Sequence, residues 1–116
     1  MITDPSQDKE GISELLKLYN NLRNGYGSVF IDEESFEKII EHYDDQEELA
    51  KALEVAETAI EYFPFSALLL IKKADILLAT RKYNEALDIL EKAELLDASD
   101  INLYILKTDA YLAMDM

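Results

Sequence analysis

Residues 67–100 read ALLLIKKADILLATRKYNEALDILEKAELLDASD, and their apolar positions are spaced for two helices separated by one turn. Leu70, Ala74, Leu77 and Leu78 form one stripe, and Tyr83, Ala86, Leu87, Leu90 and Ala93 form a second. Steps of three and four keep side chains on one face of a 3.6-residue helix. A shift of 34 residues lays this stretch over its neighbours without a gap. Phe36, Leu70 and Tyr104 share one column, and Tyr43, Leu77 and Tyr111 share another. Leu49 falls on Tyr83, Ala52 on Ala86, Ala56 on Leu90, Ala59 on Ala93, and Pro64 on Ala98. Apolar stripes align easily by chance. Small residues that stay in register with a helix-ending proline do so less readily.

Working outward, helical spacing continues on both sides. Phe36, Ile39, Ile40 and Tyr43 make one stripe, and Leu49, Ala52, Leu53, Ala56, Ala59 and Ile60 another. Leu103, Tyr104, Tyr111 and Leu112 suggest a further helix, and Ile12, Leu15, Leu16, Tyr19 and Leu22 an N-terminal one stopped by Gly25. The breaks carry fitting residues. Asp32 before Glu33 and Glu34 suits an N-cap beside the helix dipole. Asp44-Asp45-Gln46 separates two stripes, Pro64 ends a helix, Ser66 caps the next, and Asp97–Asp100 repeats that arrangement. Ser28–Ile31 is too short and isolated for a sheet; it reads as a loop that packs Phe30 or Ile31 on the helices. The expected fold is all-α, with about six helices and short connections.

A 34-residue helix–turn–helix period resembles the tetratricopeptide repeat family. Residues 67–100 are the best copy: Leu70 in the large slot, Ala74 in the small slot, then Leu77, Tyr83-Asn84-Glu85-Ala86, Leu90, Ala93 and Leu96-Asp97. Lys82–Leu87 is especially like the family's second helix. Residues 33–66 keep Phe36, Tyr43, Ala52, Ala59 and Pro64. Ile40 is bulky where the family prefers Gly or Ala, Lys73 and Lys107 replace its usual Leu, and Ala98 its usual Pro. The resemblance covers residues 33–116 and implies a right-handed α-solenoid of antiparallel helix pairs. It divides the chain into a capping helix plus connector at 1–32, repeats at 33–66 and 67–100, and the first helix of a third repeat at 101–116. In the capping helix, Leu15, Leu18, Leu22 and Gly25 would stand where Leu49, Ala52, Ala56 and Ala59 stand one repeat later. Repeat arrays need polar caps, yet Tyr104, Tyr111 and Leu112 would be left partly bare. The expectation is a piece of a longer array, or a chain that pairs through this end.

Composition narrows the function. The 116 residues hold 25 Asp and Glu against 11 Lys and Arg, a net −14. That balance opposes binding to a phosphate backbone or an anionic membrane. Without cysteine there are no disulfides, thiol nucleophiles or Cys-type metal sites. Residues 1–5 show no targeting pattern, and the longest apolar run, Ala67–Ile71, stops at Lys72. The expectation is a soluble, cytoplasmic protein. His42 is the only histidine, Gly25-Tyr26-Gly27-Ser28 fits no phosphate-loop or nucleophile-elbow spacing, and Asp44-Asp45 lacks the ligand pattern of a calcium loop. No catalytic residue, metal or cofactor is expected.

The resemblance places a binding groove along the first helix of each repeat. It implies that Glu34, Glu37, Glu41 and Asp44 point inward from the first repeat, Leu68, Ile71, Asp75 and Leu78 from the second, and Asn102, Ile105, Asp109 and Leu112 from the third. Glu41, Asp75 and Asp109, each 34 apart, would form a carboxylate row. Members that hold acidic tails use a clamp of Lys, Arg and Asn. Glu37, Glu41, Ile71, Asp75, Leu106 and Asp109 stand in those places here, with the wrong sign for such a tail. Residues 31–48 carry nine acidic groups against Lys38. The expected activity is therefore non-catalytic: a scaffold holding a basic or apolar segment of another protein. The alternatives are a self-associating module, with the C-terminal helix as oligomer interface, or an accessory part of a longer repeat protein.

Overall fold

The structure, a computed structural model, describes residues 5–115, with side chains from Gly11 onward. The absence of a targeting pattern at residues 1–4, and the end of the chain at Met116, lie outside the described residues. Six helices and no strand occur among the described residues: α1 Pro5–Asn24, α2 Glu33–Asp45, α3 Leu49–Tyr62, α4 Ala67–Ala79, α5 Tyr83–Leu96 and α6 Ile101–Met114. None is long and apolar enough to cross a membrane.

The 34-residue shift recurs in the backbone. The helices α2, α4 and α6 begin at residues 33, 67 and 101, and α3 and α5 begin at 49 and 83. The caps recur with them. Side-chain oxygens of Asp32, Ser66 and Asp100 accept the amides of Ser35 (2.7 Å), Leu69 (3.1 Å) and Asn102 (2.9 Å). Each thereby satisfies one of the donors that a helix start leaves open. The Ser66 hydroxyl also donates to Glu33, tying the start of α4 to that of α2. After α2, Glu48 N–H donates to Tyr43 C=O and Glu47 N–H to Asp44 C=O, both at 2.9 Å. After α4, Lys82 donates to Leu77 (2.8 Å) and Arg81 to Leu78 (3.0 Å). This is the Schellman closure. It puts Glu47 at φ 60° and Arg81 at φ 64°, a left-handed conformation in which glycine is the usual residue. Gly25, at φ 72°, closes α1 the same way.

Each helix packs on its chain neighbour, and α2, α4 and α6 also pack in series, α2 on α4 and α4 on α6. The described chain extends 44 × 29 × 27 Å. Two buried clusters fill the interior. Phe36, Ile39, Ile40, Ala52, Val55, Ala56 and Ala59 belong to the first, Leu70, Ala74, Leu77, Ala86, Leu90 and Ala93 to the second. Leu53 and Ile60 touch both. The helix α4 buries two sides because it lies between helices: Leu69 and Ile76 join the first cluster, Leu70, Ala74 and Leu77 the second. The alanines shared by α3 and α5 are fully buried, where a larger side chain would force the close-packed helices apart.

Burial on α6, on α1 and in the connector adds detail to the expectations. On α6 the structure buries Leu103 and Ala110, whereas Tyr104, Tyr111 and Leu112 are exposed. The helix packs on α5 and α4 and hides one narrow face among the described residues. Among the described side chains of α1, Tyr19, a member of the expected stripe, is fully buried, and Leu18 is 38% exposed. The Tyr19 hydroxyl donates to Glu54 at 2.8 Å and lies 3.4 Å from the Thr58 hydroxyl, a polar contact that adds to the apolar packing of Leu15, Leu16 and Leu22 on the first cluster. Burial pushes the Tyr19 phenol up to about 12. In the connector, Ile31 packs into the core and Phe30 stays 77% exposed.

Candidate functional site

The series α2, α4 and α6 carries a cleft of about 220 Å³, lined by Glu37 of α2, Leu68, Ile71, Lys72 and Asp75 of α4, and Asp100, Asn102, Ile105 and Leu106 at α6. Its position follows from helical spacing. Leu68, Ile71 and Asp75 are separated by three and four residues, so they share one face of α4. Asn102 and Ile105 occupy the equivalent places on α6, 34 residues beyond Leu68 and Ile71. A space this small is below the size of a cavity that encloses a small molecule; it fits one or two side chains of a larger partner.

Of the twelve expected groove residues, the cleft brings together Glu37, Leu68, Ile71, Asp75, Asn102 and Ile105. The others lie outside it. Glu34 pairs with Lys38 at 3.8 Å along α2. Glu41 accepts a hydrogen bond from Lys72 Nζ at 2.9 Å. Leu78 packs against the second core cluster. Asp44, Asp109 and Leu112 are exposed beyond the rim.

Lys72 is the feature that residue-by-residue reading missed. Its ammonium lies 2.9 Å from Glu41 and 3.8 Å from Glu37, bridging α4 to α2. Burial disfavours its charge, but Glu41, Glu37 and Asp75 outweigh that and raise its pKa. The signal was present in the sequence: Lys72 stands 35 residues from Glu37 and 31 from Glu41, offsets that bracket the repeat and place partners on adjacent helices. The bridge pairs Glu41, a member of the expected carboxylate row, with Lys72. On α2, the charge that bears on Asp75 is that of Asp44. Burial first, then the charge of Asp44, with Asp109 adding and Lys72 opposing, hold the Asp75 carboxyl above its ordinary value. Among the described residues Asp75 forms no ion pair, so its charge is only partly balanced.

A second cleft, of about 540 Å³, opens where α3 meets α4, and Leu68 lines both. Its walls include Tyr62, Phe65, Leu68 and Leu96, with Glu33 and Asp97 as the acidic members. Phe65 is 81% exposed. Tyr62 and Phe63 are braced from behind by Phe36, with ring centroids 6.2 Å apart in each pair. None of the four wall residues except Leu68 was anticipated. The run Tyr62-Phe63-Pro64-Phe65 marked a helix end, but periodicity alone gave no reason for aromatics to stay outside the core.

No set of three or more His, Asp and Glu placed to hold a metal ion occurs among the described residues. His42 lies half-buried, its ring edge-on to Tyr43 with centroids 5.1 Å apart. Compared with known proteins, the chain matches no family model, no curated protein and no solved structure.

Proposed function

We propose that this chain is a non-catalytic interaction scaffold, a right-handed solenoid of tetratricopeptide-like repeats working in the cytoplasm. It holds a basic or apolar segment of another protein in the groove along α2, α4 and α6. One observation carries the proposal: the α2–α4–α6 cleft combines exposed or half-exposed apolar side chains, Leu68 and Ile105, with a carboxylate, Asp75, that no cation of the described chain pairs. A partner's Lys or Arg would relieve the repulsion among Asp44, Asp75 and Asp109, and its apolar side chains would cover Leu68 and Ile105. The recurrence of helix starts, caps and left-handed turn residues every 34 positions supports the repeat assignment. The test is charge reversal in partner capture. Asp75→Lys with Asp109→Lys should abolish salt-sensitive binding of a basic partner and leave the helical circular dichroism unchanged. Undiminished capture by the double variant would remove the groove from the account.

A second reading has its own observation. On α6, Tyr104, Ile105, Tyr111 and Leu112 are all exposed, and its only charged side chains, Lys107 and Asp109, cancel. A second copy of the chain could meet this face without the like-charge cost that the rest of the molecule would impose. Light scattering should then give a dimer that Leu112→Glu converts to monomer; a wild-type monomer at high concentration rules it out.

A further inference from the structure

The clefts on α4 share Leu68 and are acidic at both ends, and together they specify more than a sign. This step rests on the groove proposal above. Leu68 and Asp75 are seven residues apart on one helix face, which at 1.5 Å per residue is about 10.5 Å. An extended peptide covers about 3.3–3.6 Å per residue, so three of its residues span that interval. At one end stands Asp75, the carboxylate left over after Lys72 is shared between Glu37 and Glu41. At the other end, just past Leu68, stands the aromatic cleft, where Phe65 and Tyr62 present exposed rings beside Leu96. Tyr62 is stacked on the buried Phe36 ring and loses little side-chain freedom on contact, and covering the exposed Phe65 ring adds buried apolar area. Glu33 and Asp97 at that cleft repel an acidic flank.

We propose that the groove recognises an extended peptide at two points: a Lys or Arg at Asp75 and, three or four residues away, a large apolar or aromatic side chain against Leu68, at the edge of the cleft of Phe65, Tyr62 and Leu96. The basic group supplies the charge that the cleft lacks, the apolar group supplies buried area, and the fixed separation of the two sites sets the spacing. A basic segment without the apolar anchor, or with the two residues adjacent, engages one site at a time and binds more weakly.

The test is selection of random twelve-residue peptides displayed on phage against the immobilised full chain, wild type and two variants. Asp75→Lys and Phe65→Ser both change exposed side chains, and retained helical circular dichroism verifies that each folds. The wild type should enrich sequences with Lys or Arg three or four residues from Phe, Leu, Ile, Trp or Tyr. Synthetic peptides of that spacing should bind at least about tenfold tighter than the same residues placed one or seven apart. Asp75→Lys should erase the basic preference alone, and Phe65→Ser the apolar preference alone. Enrichment of basic peptides with no spaced apolar residue overturns the two-point arrangement while the acidic groove stands. Enrichment of acidic peptides, or of none, overturns both.

Discussion

Asp75 lies closest to the proposed chemistry, and its environment makes a prediction that needs no partner. Burial and then the Asp44 charge, with Asp109 adding, raise its folded-state pKa above the ordinary 3.8. The folded chain therefore holds that proton more tightly than the unfolded chain does. The stability contributed by this group is full below pH 3.8 and is lost as pH rises through the raised folded value. Asp75→Asn removes the penalty that remains at neutral pH. The variant should unfold at slightly higher urea concentration than wild type at pH 7, by no more than about 0.5 kcal/mol given its exposure, and at the same concentration at pH 3. A destabilised Asp75→Asn at pH 7 would mean that the carboxylate is held by favourable contacts instead of burdened by like charge. Glu54 has the opposite sign. Burial opposes its charge, but Tyr19 and Lys51 hydrogen bonds and the Lys51 and Arg23 charges prevail and lower its pKa. Two carboxylates on neighbouring helices thus separate into one that fixes the α1 contact and one that remains available.

At the scale of the element, the turns after α2 and α4 place Glu47 and Arg81 where glycine is favoured. A side chain in that conformation costs about 1–2 kcal/mol, and glycine's extra unfolded-state freedom returns roughly 0.5–1 of it. Arg81→Gly should therefore stabilise the chain by about 0.5–1 kcal/mol, read as a higher urea midpoint with unchanged m-value. A loss of stability would show that Arg81 makes contacts that outweigh the backbone strain. Helix starts and stops were legible because short-range chemistry sets them: Asp32, Ser66 and Pro64 act within a turn of their own position. The left-handed residues were not legible, because neither Glu nor Arg announces a positive φ. Nor was Ala110 on the buried face of α6, where a methyl side chain gives little periodic signal beside Tyr111 and Leu112. Tyr19 belonged to the expected stripe of α1, but its contacts with Glu54 and Thr58, 35 and 39 residues away, lie beyond the reach of periodicity.

For the whole molecule, the net −14 is unevenly distributed. Residues 25–100 carry 19 acidic and seven basic groups, a net −12, whereas α1 and α6 each sum to zero. The repeat region is thus the part that repels anions and other copies of itself, and the part where a basic segment gains most from long-range attraction. The general location of the α2–α4–α6 cleft was legible once the 34-residue shift was recognised, since equivalent residues of the three helices recur at that offset. Its lining was less so: Lys72 pairs with Glu41, and the aromatic cleft at Phe65 belongs to a turn between helices. The most direct measurement is a two-dimensional ¹⁵N–¹H NMR titration of the chain with a twelve-residue peptide carrying one Arg and one Phe three residues apart. The account predicts salt-sensitive shifts in Glu37, Leu68, Ile71, Asp75, Asn102 and Ile105, with α1 unmoved. Shifts confined to α1 or the outer faces of α3 and α5, or no shifts at millimolar peptide, would contradict it.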